Sequence, residues 1–419
     1  MLKKQPVLNG ISDSRFVFFS MWIIYAAAYF GRTCYSAAIA AITADGLFTK
    51  SEAGVIGTVF FLCYGSGQII NGFLGDKISP FGIVLTGTLL SSFCCFTMGT
   101  LSSHLAMAAV WGLNGFAQSM LWSPLLKILS SVLRADMRKR ACLNIALSHP
   151  IGTTLSYFSC SAVIKYDTWH HVFTTASAFL LLAFIFGVSV FLAVRRRFVY
   201  TEPEILTEEA ADGASVSLKT LILASGLIAI VIPTILHGML RDGITTWVPT
   251  MLSETYKISP SFSVMITLFL PLINAFGAYM ITPVYKKLRE NELKTSVVCA
   301  VLGFFPLIVL LFIGKIPMAI ETAMLAVTTA SMYALNYMLI TKVPMRFSKF
   351  GKTSTVSGIL NSFAYLGCGI STYGFGKAAE VVGWQKTIVI WLITVALIFI
   401  VCLFCIKKWT SFLKKTEQI

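Results

Sequence analysis

"YAAAYFGRTCYSAAIAAIT", residues 25–43, decides the fold. Apolar and small residues fill it, and one arginine, Arg32, stands in its middle. A helix that crosses a bilayer needs about 20 predominantly apolar residues. An arginine at bilayer mid-depth costs roughly 2.5–3.5 kcal/mol on insertion scales. The stretch therefore reads as part of a membrane helix that carries a costly charge for a reason.

The rest of the chain agrees. Its 419 residues are 56% hydrophobic and 12% charged, whereas a soluble domain carries about 25% charged residues. Twelve stretches of spanning length stand at 16–40, 53–75, 82–101, 105–133, 141–164, 169–194, 220–252, 262–284, 295–313, 317–341, 354–377 and 387–406. They predict an all-α membrane protein with twelve transmembrane helices in two pseudo-symmetric six-helix bundles. The net charge of +15 could draw nucleic acid, but its distribution is topological. With both termini on the cytoplasmic side, 23 Lys and Arg fall in cytoplasmic segments and 5 on the opposite side. That is the positive-inside pattern. It implies a multi-pass protein of the cytoplasmic membrane with the lipid bilayer as its surroundings and no nucleic-acid partner; a monomer is expected. The first apolar run is too long for the h-region of a signal peptide and lacks a small-residue cleavage site.

Residues 195–219 stand apart. Arg195, Arg196 and Arg197 close the sixth span, and the acidic "YTEPEILTEEAADGASVS" follows at 200–217. The predicted organisation is a bundle at 1–197, a cytoplasmic linker at 198–218 and a second bundle at 219–419. Arg32 lies in the first helix of one half and Arg241 in the first helix of the other, 209 residues on. Transporters built from repeats place their substrate near the midplane between such halves.

Spacing sorts the polar residues. Tyr25, Tyr29, Arg32 and Ser36 share one helix face. Either Arg32 pairs with a buried acid, or the missing anion is a ligand. Few acids are expected at mid-depth, Asp242 being the main exception, so the ligand reading is preferred. Pro233, His237, Arg241 and Thr245 share a face in the seventh span. His237 titrates near neutral pH when unperturbed; it can carry a proton, donate a hydrogen bond or be satisfied internally. His149 precedes Pro150 in "NIALSHPIGTTLS", where a mid-helix kink is expected to free carbonyls. Tyr365 shares a face with Asn361 and Thr372. Tyr333 and Tyr337, Gln68, and the set Asn114, Gln118 and Trp122 suit interhelical hydrogen bonds as well as a site. Lys127 is expected to snorkel or to pair with a gating acid such as Asp76, which lies in "GFLGDKISPF", residues 72–81. The ten cysteines show no zinc spacing and read as small apolar filler. No metal ligand set, phosphate loop or nucleophile–base pair is apparent, so neither a cofactor nor an enzyme is expected.

"GFLGDK" resembles the signature loop of the major facilitator superfamily. "YFGRTCYSAAI", "LNGFAQSMLWSPLLK", "LSHPIGTTLS", "YDTWHHVF", "LRDGITTWVPTML" and "VSGILNSFAYLGCGIS" resemble, within it, the organophosphate:phosphate antiporter family of glycerol-3-phosphate and hexose-phosphate exchangers. The resemblance implies substrate arginines at Arg32 and Arg241, a site histidine at His149, and cavity tyrosines at Tyr25, Tyr29, Tyr365 and Tyr333. It implies exchange of an organophosphate for phosphate by alternating access. The chain departs from the family at Thr33, Gln68, Thr246 and Pro271, where relatives often carry charge. Two bases and no acids then remain in the expected site. The alternatives are a proton-coupled symporter of an organic anion (sugar acid, carboxylate or sulfonate) and a ligand sensor of the same fold.

Overall fold

The computed structural model describes residues 5–201, 217–350 and 352–417. Most of the expected linker, 202–216, lies outside them. The chain opens with strand β1, Gln5–Val7, and continues into α1, Ile11–Ala44, α2, Lys50–Lys77, α3, Pro80–Met98, and α4, His104–Ser119. Then come α5, Trp122–Lys127, a π-helical stretch at Ile128–Val132, α6, Ala135–Asn144, a 3₁₀ turn at Ile145–Leu147, α7, Ser148–Tyr166, and α8, His170–Val194. After strand β2, Val199–Thr201, follow α9, Leu218–Ser225, α10, Leu227–Tyr256, α11, Pro260–Thr267, and α12, Phe269–Lys287. The chain closes with α13, Glu292–Leu310, α14, Met318–Asn336, a second π-helical stretch at Tyr337–Lys342, α15, Val343–Met345, and α16, Thr353–Glu417.

Every expected span falls on helix. Among the described residues nine helices are long and apolar enough to cross a membrane, and α16 covers two expected spans. Its two halves meet at Gly383, whose φ of 78° and ψ of 169° break the helix in one residue. A side chain would be strained there. The fourth span is broken between α4 and α5, the fifth is α7, and the seventh is broken at Gly226, φ 73°. The only strands among the described residues are β1 and β2, which pair antiparallel and join the N-terminal segment to the end of α8. Leu8 N–H extends the link to Val132 O at 2.8 Å.

The helices form two compact units. In the first, α1 packs on α7 and α8, and α3 on α4 and α8. A Cβ at Gly152 would stand 2.4 Å from Ala26 O, so α1 and α7 meet backbone to backbone. In the second, α10 packs on α16 and α14, and α13 on α14 and α16. Membrane helices associate through such small-residue contacts because lipid offers no hydrophobic drive between them. The second unit also holds a buried acid. Glu292, in the first turn of α13, is fully buried and accepts from Arg346 Nε at 2.6 Å, Tyr285 OH at 2.7 Å and Trp409 Nε1 at 2.9 Å.

Two short segments group by their contacts rather than by their place in the chain. Thr49–Gly54, at the start of α2, belongs to the second unit. There Lys50 Nζ pairs with Glu254 at 2.8 Å and Ser51 N–H donates to Glu380 at 2.9 Å. Ser259–Pro271 belongs to the first, where Ser161 and Ser261 each donate a hydroxyl to the other's carbonyl, at 2.9 and 2.7 Å. Polar residues at the span ends find their partners in these exchanged segments, which hydropathy cannot register.

Candidate functional site

The first unit builds a site wall on α1. Buried amides hold that helix from behind. Asn114 Nδ2 donates to Gly31 O at 2.8 Å and Gln118 Nε2 to Ala28 O at 3.0 Å. Ser91 ties the two amides together, donating to Asn114 Oδ1 at 2.6 Å and accepting from Gln118 Nε2 at 2.9 Å. With that face fixed, Tyr25, Tyr29 and Arg32 occupy another. The Thr33 hydroxyl lies 2.7 Å from Tyr29 O in its own helix and 2.9 Å from Ser156 Oγ in α7, so it donates to one and accepts or shares with the other.

Arg32 is half-buried among aromatic rings. Its guanidinium carbon lies 4.7 Å from the Tyr64 ring centre, 5.7 Å from Phe61, 5.9 Å from Phe60 and 6.0 Å from Tyr29. Ring faces stabilise a cation within about 6 Å without neutralising it. Gln68 Nε2 donates to Tyr64 OH at 2.9 Å. Tyr25 and Tyr29 bring their hydroxyls to 3.4 Å, the Tyr25 ring rests 4.8 Å from Trp122, and the Tyr29 ring rests 4.4 Å from His149. Tyr25, Tyr29, Arg32, Gln68 and His149 are thus linked through shared neighbours. The histidine's setting differs from expectation: it stands in the first turn of α7, just after a 3₁₀ turn, rather than mid-helix. In a first turn the missing N–H of Pro150 costs no hydrogen bond. Lys127 is half-buried at the end of α5, where its carbonyl accepts from Ser131 Oγ at 2.6 Å. Asp76 is in the last turn of α2, and its side chain lies outside the described residues.

The second unit builds its own wall on α10. Arg241 is 6% exposed. Its guanidinium carbon lies 5.7 Å from the Tyr333 ring centre and 5.6 Å from Tyr365. Nη1 donates to Asn336 Oδ1 at 2.5 Å. His237 is fully buried, with Nδ1 2.6 Å from Thr234 O and Nε2 3.1 Å from Asn336 Oδ1. It therefore reaches Arg241 through Asn336. The expectation of an acid-free site does not survive. Asp242 Oδ2 lies 3.2 Å from Arg241 Nε and 2.5 Å from Nη2, and Cys368 Sγ stands 2.9 Å from the same oxygen. Thr246 donates to Asp242 O at 2.7 Å.

Sequence reasoning passed over Tyr64, Asn336 and Cys368. Tyr64 lies four residues before Gln68 on the same helix face, and Asn336 three after Tyr333; both spacings carried a signal. Cys368 gave none, because a thiol in an apolar helix reads as filler.

Comparison with known proteins places these walls in context. A 418-residue alignment at 23% identity relates the chain to the probable hexose phosphate transport protein of Chlamydia muridarum (strain MoPn / Nigg), covering 94% of this chain and 91% of that one. The namesake from Chlamydia pneumoniae aligns at 29% identity over 36% of this chain, and the match spans only 34% of its length. The membrane sensor protein UhpC of Escherichia coli (strain K12) aligns at 29% identity over 25% of this chain and 24% of its own. Among solved structures, a bacterial homolog of the human lysosomal transporter Spinster, inward-facing and occupied, superposes with a TM-score of 0.78 over 96% of this chain and 99% of that one. At 12% identity that likeness speaks for the fold. These relatives and neighbours are membrane proteins named as transporters or a sensor, not enzymes. The model of the Major Facilitator Superfamily matches residues 21–372, most of the chain, and the protein belongs to that superfamily.

Proposed function

We propose that the protein is a secondary active transporter that moves a small organic anion, an organophosphate or a phosphonate-like compound, across the cytoplasmic membrane in exchange for inorganic phosphate. The observation that carries this reading is the recurrence of one motif, an arginine over tyrosine rings, in each unit: Arg32 at Tyr64 and Tyr29, Arg241 at Tyr333 and Tyr365. A guanidinium presents a planar fork suited to an oxyanion. Ring faces keep it charged inside a protein at lower cost than hydrocarbon would. The names of the hexose phosphate relatives support the phosphate class.

On this reading each arginine serves the anion from its own unit, and alternating access carries it across. Tyr25, Tyr29, Gln68, Tyr333 and Tyr365 contact its organic part, and His149 orients Tyr29. His237 acts indirectly, holding Asn336 against Arg241. Lys127 and Asp76 serve gating. The protein works as a monomer with both termini in the cytoplasm.

The test is uptake of radiolabelled phosphate into proteoliposomes preloaded with phosphate. Counterflow that stops when the lumen holds no anion supports exchange. Uptake without internal anion that rises with an imposed proton gradient assigns the protein to symport instead. The similarity to a membrane sensor favours a second reading, ligand sensing. Phosphate-dependent thermal stabilisation with no flux under either condition would establish it.

A further inference from the structure

Arg241 reaches its position already holding an anion. Asp242 occupies the edge of the guanidinium made by Nε and Nη2, and Asn336 takes Nη1. The Nε–Nη2 edge is one of those that can meet an oxyanion with two parallel hydrogen bonds. A carboxylate beside an arginine meant for an anionic substrate works against binding, unless the lost charge is useful. Nor is the pairing a purely local accident of adjacent residues. Cys368, from α16 on the far side of the cluster, brings its thiol to 2.9 Å of the same carboxylate oxygen, so two helices hold Asp242 in place.

We propose that Asp242 is a built-in counter-ion that sets the charge of the anion the protein accepts, favouring a singly charged oxyanion over a doubly charged one. This rests on the anion-binding reading above. The pair Arg241–Asp242 is neutral, so an arriving anion meets one positive charge fewer than Arg241 alone would offer. A dianion loses more by this than a monoanion, because it is attracted by the arginine and repelled by the carboxylate in proportion to its charge. Arg241 on its own helix and Cys368 on α16 face the carboxylate. Tyr365 on α16, Tyr333 on α14, and His237 through Asn336 surround the guanidinium. For a phosphate monoester, whose second ionisation falls near pH 6, the accepted form is the one that dominates below that pH.

The experiment uses two tetrahedral anions of fixed charge, so that titration of His237 cannot mimic the result. Binding of methanesulfonate, singly charged, and of sulfate, doubly charged, is measured on the purified full-length protein at one pH by calorimetry or thermal shift. The wild type should bind methanesulfonate more tightly than sulfate by roughly tenfold, the scale of one hydrogen bond to a charged group. Asp242→Asn keeps the shape and should erase or reverse that preference. Binding of both anions with sulfate preferred in the wild type overturns the proposal, and that comparison requires no variant to fold. A folded Asp242→Asn protein with an unchanged ratio overturns it as well. Both results leave the anion-binding reading standing. If neither of these anions nor inorganic phosphate binds the wild type, that reading falls and the present one with it.

Discussion

At the scale of residues, the two arginines proposed to share a purpose are unlike in company. Arg32 is surrounded by ring faces, whereas Arg241 is held by an acid and an amide. Lysine in place of either keeps the charge and loses the fork. Arg32→Lys and Arg241→Lys should each lower phosphate exchange in proteoliposomes by roughly 100-fold, the upper range for a charged hydrogen-bonding group, while the purified proteins remain monodisperse. Exchange within a few-fold of wild type in either variant would refute a shared role. Asn336→Leu is a finer probe. It removes the oxygen that Arg241 and His237 share without touching either charge. KM for phosphate should rise by about tenfold with little change in maximal rate. The arginines, tyrosines and histidines of these walls were legible because charge and spacing are local properties of a sequence. Asp242 was visible but not read as a partner, since neighbours in sequence do not face each other on an ideal helix. Only the length of the arginine side chain and the approach of α16 bring the two groups together.

At the scale of elements, close backbone contacts decide which helices pair. A Cβ on Gly238 would stand 2.1 Å from Ala364 O, and one on Gly367 equally close to Ile235 O. α10 and α16 thus meet through two reciprocal glycines, beside the Arg241 cluster. Gly238→Val should cost at least the roughly 1–3 kcal/mol of an overpacked core, read as a lowered melting temperature in detergent and poor yield; normal stability would show that the pair can part without loss. Glu292 belongs to the same scale because it joins α13 to Arg346, Tyr285 of α12 and Trp409 of α16. Glu292→Gln leaves Arg346 without its carboxylate and should destabilise the second unit by about 3–5 kcal/mol, again visible in melting. Hydropathy located these helices and the break at Gly383, which falls between two expected spans, but missed others. An average over some twenty residues smooths across Gly226 and the 3₁₀ turn before α7, each of which needs only one to three residues. The backbone geometry that makes such a break is set by packing against other helices.

At the scale of the whole molecule, the positive-inside count predicts an orientation that can be tested directly. A reporter fused at the N-terminus, at the C-terminus or within 202–216 should be active only on the cytoplasmic side. Activity of any of the three outside would invert the proposed direction of the chain. The all-α membrane class was readable from composition and hydropathy, which depend on the bilayer, and the superfamily from stretches such as GFLGDK that resemble its motifs. The exchange of Thr49–Gly54 and Ser259–Pro271 between units was not. It arises from contacts between residues 100 and more positions apart, such as Ser161 with Ser261 and Ser51 with Glu380, which one sequence cannot pair.

The two π-helical stretches repeat one backbone feature along the chain. One begins at Ile128 and the other at Tyr337, 209 residues apart, the same interval that separates Arg32 from Arg241. A wider turn of this kind is rare, and in a helix it marks a site of function more often than chance. The residues within them differ, ILSSV against YMLITK, so what recurs is a shape of backbone rather than a string of amino acids.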